Sequence, residues 1–188
     1  MNFIVLDVEA TCWENEKRSI QEIIEIGAVS ISADTLEENW NTSIIIKPVY
    51  EPKLSEFCTE LTSINQEMVD NGVSYKDAIK RLNEKLEYDD VFCSWGKFDD
   101  NIMRKNCQLH NVKYPFGNGH SNIKNVVSSV LGTKIKSVSK MCNFLGVKFQ
   151  GRLHRGIDDA LNMCEILRTV QKKHPILIDE ILSARSFK

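Results

Sequence analysis

Two carboxylates interrupt an apolar run at the start of the chain, Asp7 and Glu9 in F-I-V-L-D-V-E-A-T-C. On a strand, residues two apart point to the same side, so both acids face one way. Carboxylates placed like this repel each other unless a cation lies between them, and burying one unpaired is very costly. Oxygen donors of this kind suit a hard divalent ion such as magnesium or manganese. Taken alone, the pair fits a strand running out into solvent equally well. Two later segments repeat the chemistry. W-G-K-F-D-D (95–100) ends in Asp99 and Asp100, and H-R-G-I-D-D-A (154–160) sets His154 in a glycine-flanked loop before Asp158 and Asp159. In each acid pair one member could cap a helix start, where negative charge is favoured, and the other bind metal. Histidine, with an ordinary pKa of ~6.5, suits proton transfer near neutrality. Four carboxylates and a histidine are the parts of two-metal phosphoryl transfer. One ion activates water and the other stabilises the leaving oxygen, roughly 3.5–4 Å away.

The elements that must position these groups are legible as periodicities. Residues 2–8 read as a buried strand, 23–32 as a second and 40–47 as a third, which together form an antiparallel meander. Pro48 and Pro52 then break regular structure. A short helix is expected over 65–70, and a longer one over 75–87 capped by Ser74 with Ala78, Ile79, Leu82 and Leu86 on one face. A fourth strand over 91–95 leads into a helix from about Asp99 to His110. Residues 113–120 read as a loop. Helices follow over 121–131 and 137–145, the latter ended by Gly146, and then over 157–173 and 176–184 after Pro175. The expected architecture is α/β, with a mixed central sheet of about five strands flanked by helices in a single domain over 1–188.

The composition, with 42% hydrophobic and 27% charged residues, is that of a soluble globular protein. No apolar run approaches the ~20 residues of a membrane helix, and the N-terminus lacks the basic region and cleavage site of a signal peptide. The six cysteines show no C-x-x-C pairing and read as free, mostly buried thiols in a reducing cytoplasm. The net charge of −2 hides an asymmetry. Residues 1–100 carry 21 acids against 9 Lys and Arg, whereas residues 101–157 carry no acid and 10 cations. Charge runs are most often solvated faces, but this one runs straight into His154, which favours a surface that meets an anion.

The motifs resemble the DEDDh family of 3′–5′ exonucleases, which have a ribonuclease H-like fold. D-x-E-A-T matches at Asp7, Glu9, Ala10 and Thr11, W-G-x-F-D matches with Asp99, and H-x-x-x-x-D matches with His154 and Asp159. Within the family, I-I-E-I-G-A-V, F-C-x-E-L-T-S-I and G-R-L-H-R-G-I-D-D-A are similar to the branch that includes the histone-mRNA 3′-end exonuclease and bacterial sporulation-inhibitor-like proteins. The match covers about residues 1–172.

The resemblance implies that Asp7, Glu9, Asp99 and Asp159 hold two Mg²⁺ or Mn²⁺ ions, with His154 as general base. The expected partner is the 3′ end of single-stranded RNA or DNA, RNA being favoured, with nucleoside 5′-monophosphates as products. Ala10, Thr11, Leu61, Thr62 and Ile64 are expected around the terminal nucleotide. Arg152 and Arg155 belong to the basic segment that meets phosphate, so binding should weaken with salt. Trp13, in a polar stretch, is the better base-stacking candidate, worth roughly 1–3 kcal/mol per base; Trp95 and Phe98 are expected in the core. Val8 stands where the family commonly has an aromatic residue, and Ser63 where it often has glycine, which reshapes the nucleotide pocket. Two alternatives remain: a nucleic-acid-binding regulatory protein with little turnover, and an exonuclease restricted to short oligonucleotides.

Overall fold

The computed structural model describes residues 1–16, 18 and 20–186. Three long strands come first: β1 (Asn2–Ala10), β2 (Ile23–Ser32) and β3 (Glu38–Ile45). Their runs of Ile and Val fit a pleated, buried surface. They pair antiparallel, β1 with β2 and β2 with β3. β4 (Val91–Ser94) then adds parallel to β1, and β5 (His120–Asn122) adds parallel to β4. The result is a mixed five-stranded sheet of order β3-β2-β1-β4-β5.

Helices cover both faces. On one side lie α3 (Tyr75–Asn83) and α4 (Phe98–Leu109), whose Ala78, Ile79, Leu82, Ile102 and Met103 pack against Ile4, Leu6 and Val8. On the other lie α5 (Ile123–Val130), α6 (Val138–Leu145), α7 (Gly156–Gln171) and α8 (Leu177–Ser183), packed against Phe3, Val5, Val29 and Ile31. Two short helices, α1 (Glu56–Thr62) and α2 (Gln66–Asp70), enclose a smaller cluster around Ile24, Cys58 and Ile64. Ser55, Asn65, Ser74 and Ser137 each cap a helix by accepting a backbone N–H with the side chain. All six cysteines are free and all but Cys12 are buried. Among the described residues no helix is long and apolar enough to cross a membrane.

The expected elements form, with shifted ends. β1 runs on to Ala10, so both early acids lie on the strand. The third strand starts at Glu38 rather than 40 and ends at Ile45 rather than 47. The helix expected over 75–87 stops at Asn83 because residues 84–90 turn back: Asp90 accepts from the backbone N–H of Asn2 at 3.1 Å and of Glu87 at 2.8 Å. Two elements were not expected. α1 is seven residues long and is capped by Ser55, whose side chain accepts the Cys58 N–H. β5 is three polar residues closing the 113–120 loop.

The strand periodicity places the site. Phe3 and Val5 face α7, so Asp7 and Glu9 project to the same side. The register pairs Asp7 with Gly27 and Glu9 with Glu25. At this point the first turn of α7 lies directly on the sheet. A Cβ on Gly27 would come within 2.1 Å of the Gly156 backbone, and one on Gly156 within 2.8 Å of the Asp7 carbonyl oxygen. Two facing glycines thus let a helix N-terminus, with its partial positive charge, reach the acids of β1.

Candidate active site

Three carboxylates converge where α7 meets β1. Oxygen atoms of Asp7, Glu9 and Asp159 lie within 4.8 Å of one another. Glu9 and Asp159 are buried and Asp7 is half-buried. Asp99 joins them from the first turn of α4. β4 ends at Ser94, which leaves the next outward N–H of β1 without a strand partner. Asp99 Oδ1 accepts it, the Val8 N–H, at 3.2 Å. The sheet therefore places two of the carboxylates, and two helix starts bring one each.

The electrostatics are those of a site built for cations. Burial pushes the Asp7 carboxyl well above the ordinary range, and the charges of Asp99, Glu9 and Asp159 push it further. Burial raises Glu9 to about 8, helped by Asp159, Glu25 and Asp99. Asp99 is raised to about 6 by burial, against the opposing pull of the Val8 N–H. Burial raises Asp159 to about 6 against the His154 N–H. Burial raises all four, and repulsion from the neighbouring carboxylates adds to it at Asp7, Glu9 and Asp99. Divalent cations would relieve that repulsion, and an all-oxygen donor set fits Mg²⁺ or Mn²⁺.

The paired acids divide their work. Asp100 accepts from Arg104 Nε at 2.8 Å and from the Tyr114 hydroxyl at 2.7 Å, and so faces away from the cluster. Asp158 accepts the Arg152 backbone N–H at 2.8 Å and lies against Gly151, whose φ of 77° places it in the left-handed region. Asp159 accepts the His154 backbone N–H at 2.8 Å. His154 itself is exposed and holds φ at 60°. A non-glycine residue held there costs on the order of 1–3 kcal/mol, the kind of strain that gathers at functional sites.

The remaining expected contacts are less uniform. Ala10 and Thr11 are buried at the end of β1. The Thr11 hydroxyl accepts the Glu22 N–H at 3.0 Å, and the Ala10 carbonyl lies 3.7 Å from Cys58 Sγ. Leu61 is half-buried. Thr62 and Ile64 are fully buried, the Thr62 hydroxyl donating to the Cys58 carbonyl and accepting from Ile64 N–H, so these two underlie the surface rather than line it. Trp13 is half-buried with the Arg18 guanidinium 4.5 Å above its ring, and it borders a cleft shared with Ser55, Glu56, Phe57 and Glu60. Arg152 is exposed. Arg155 is committed internally, its Nε 3.1 Å from Glu25 Oε2.

Trp95 packs at the core edge as expected, its Nε1 donating to the Lys136 carbonyl at 2.8 Å. Phe98 does not: it is 53% exposed and lines a cavity of about 540 Å³ with Ile20, Lys105 and Gln108. As the first residue of α4, it points outward while Asp99 turns inward. Sequence reasoning missed Glu25, a fully buried acid opposite Glu9. The signal was an acid at mid-strand in I-I-E-I-G, which became readable only once the register of β1 and β2 was known.

Comparison with known proteins follows the same lines. A family model described as "Exonuclease" matches residues 4–167. "ERI1 exoribonuclease 2" of Xenopus laevis is 30% identical over 87% of this chain and 27% of its own length. "ERI1 exoribonuclease 3" of Mus musculus is 32% identical over 89% of this chain and 53% of its own length. The chain therefore spans between about a quarter and about half of these relatives. The solved nuclease domain of 3′hExo, described as a DEDDh family member bound to rAMP, superimposes with a TM-score of 0.85 at 27% identity. That match covers 100% of this chain and 96% of the solved one.

Proposed function

The chain belongs to the exonuclease family whose model it matches over residues 4–167, and from that premise we propose that it is a metal-dependent 3′–5′ exonuclease acting on single-stranded RNA. The observation that carries this reading is the convergence of Asp7, Glu9 and Asp159, with oxygen atoms within 4.8 Å, beside Asp99 on the Val8 N–H. These four carboxylates would hold two Mg²⁺ or Mn²⁺ ions. Bound there, the ions supply positive charge that eases deprotonation of water and offsets the charge developing on the phosphate oxygens.

The chain's own residues do the rest. His154, exposed at the rim and held at its backbone by Asp159, takes a proton from the attacking water as its oxygen bonds to phosphorus. General-base help of this kind is worth roughly 10²–10⁴-fold. The bond from phosphorus to the 3′ oxygen of the preceding nucleotide breaks, and that oxygen leaves with the bonding pair and takes up a proton from solvent to become the new 3′ hydroxyl. The product is a nucleoside 5′-monophosphate. The backbone of Ala10 and Thr11 and the half-buried Leu61 meet the terminal nucleotide, Thr62 and Ile64 support that floor from beneath, and Trp13 offers a stacking face. Phosphate contact falls to Arg152 and to the lysines around the β4–α4 turn. Lys124 Nζ, for example, lies 3.5 Å from where a Cβ on Gly96 would be.

RNA is favoured over DNA because the relatives in hand are named exoribonucleases and a solved neighbour holds rAMP. A pocket that contacts the 2′-hydroxyl would enforce this choice. Asp7→Ala tests the site assignment. It is expected to abolish cleavage while the circular dichroism spectrum and cooperative melt persist; a variant with wild-type cleavage would remove Asp7 from the metal site.

A further inference from the structure

Glu25 is an acid with no surface exposure, one strand away from the metal-ligand candidates. Its two oxygens accept four hydrogen bonds. Oε1 takes the Ser43 hydroxyl at 2.7 Å and the Arg155 Nη2–H at 3.3 Å. Oε2 takes Arg155 Nε at 3.1 Å and the Gly156 backbone N–H at 3.0 Å. A carboxylate offers about four lone-pair sites, and here all four are occupied. Glu25 therefore has no capacity left to be a fifth metal ligand, although it lies on the right face of the sheet.

Three of the four bonds come from the two residues that follow His154. The His154 loop is thus tied at two points to buried acids: its own N–H to Asp159, and Arg155 with Gly156 to Glu25. The left-handed backbone of His154 lies between these ties, and nothing local favours that conformation in a residue with a Cβ. Resting on the exonuclease reading above, we propose that Glu25, through its clamp on Arg155 and Gly156, is the positioning residue that holds His154 in reach of the attacking water. Arg155 then serves the loop rather than the substrate phosphate.

A double-mutant cycle separates this role from a merely structural one. Glu25→Ala is expected to lower kcat by about 10–100-fold, the usual effect of removing an outer-shell partner, with KM little changed. In a His154→Ala background the same substitution should change kcat hardly at all, because there is no base left to position. Glu25→Gln should recover most of the loss. Its amide oxygen can still accept from Gly156 N–H and Arg155 Nε, and its NH2 can donate to the Ser43 hydroxyl, so only the bond from Arg155 Nη2 is lost. An equal loss from Glu25→Ala in both backgrounds would overturn the proposal.

If Glu25→Ala fails to fold, the cycle is run with Glu25→Gln, where a small loss present only with His154 supports the proposal and one independent of His154 overturns it. Wild-type protein that does not cleave RNA would refute the exonuclease reading instead. The anchor would then be decided by hydrogen–deuterium exchange of the amides of residues 152–157 in Glu25→Gln: faster exchange than wild type supports it, and unchanged exchange overturns it.

Discussion

Replacing Gly27 with alanine is expected to damage the site from a residue that touches no substrate. The added Cβ would lie 2.1 Å from Gly156 C and Ile157 N and 2.5 Å from the Gly156 carbonyl oxygen, all of them backbone atoms. Carbon contacts settle near roughly 3.5–4.0 Å, so β2 and the start of α7 must separate by roughly 1.4 Å or more. Overpacking of this kind costs ~1–3 kcal/mol, which for a chain of this size lowers Tm by ~2–12 °C. The separation falls between Asp7 on the sheet and Asp159 on the helix, and it carries the His154 loop with it. A misplacement of ~1 Å costs on the order of 10²-fold in rate. The assay pairs a thermal melt with kcat on single-stranded RNA at saturating Mn²⁺. Gly117→Ala is the control, since a Cβ there meets nothing within 4 Å; it should be neutral or stabilise by up to ~1 kcal/mol. A Gly27→Ala protein with wild-type Tm and kcat would refute the close helix-on-sheet approach as the device that assembles the site.

Two further outcomes follow from the acids. Asp99→Asn should remove at least ~10²-fold of kcat, the scale set by losing or misplacing one charged group at the reacting centre. Asp100→Asn should instead keep the rate and lose ~1–3 kcal/mol of stability, because its carboxylate serves Arg104 and Tyr114; swapped phenotypes would reverse the assignment. Asp99 and Asp159 are raised to about 6 and Glu9 to about 8. Between the ordinary carboxylate range and these values, the folded metal-free protein holds more protons than the unfolded chain. Its stability therefore falls as pH rises through that window. Divalent ions need the ionised ligands, so the gain in Tm from Mg²⁺ should grow from pH 5 to pH 8. A gain independent of pH would mean that the ions bind elsewhere.

Much of the site was legible because its residues break local rules. Asp7 and Glu9 are acids where an apolar strand continues, and Asp99 and His154 follow strand-end and glycine-loop signals. What periodicity could not decide, it left open: Asp99 against Asp100 and Asp158 against Asp159 were separated by the family pattern, and the structure gives each rejected acid a different partner. Glu25 escaped because its partners lie 18 and about 130 residues away, and only the strand register and the α7 approach bring them together. Phe98 was misplaced because an aromatic beside a buried acid reads as core, whereas consecutive residues in a helix's first turn face different ways. α1 and β5 were missed as short elements whose stability comes from tertiary packing and from a neighbouring strand.

The most direct test of the central claim is the fate of a 5′-labelled single-stranded RNA, beside the matching DNA, in Mg²⁺, Mn²⁺ or EDTA, with His154→Ala run in parallel. A ladder that shortens from the 3′ end, is lost in EDTA and is greatly slowed in the variant is the predicted result. RNA left intact in both metals while still bound by the protein would contradict it, and would point to a binding protein built on an exonuclease fold.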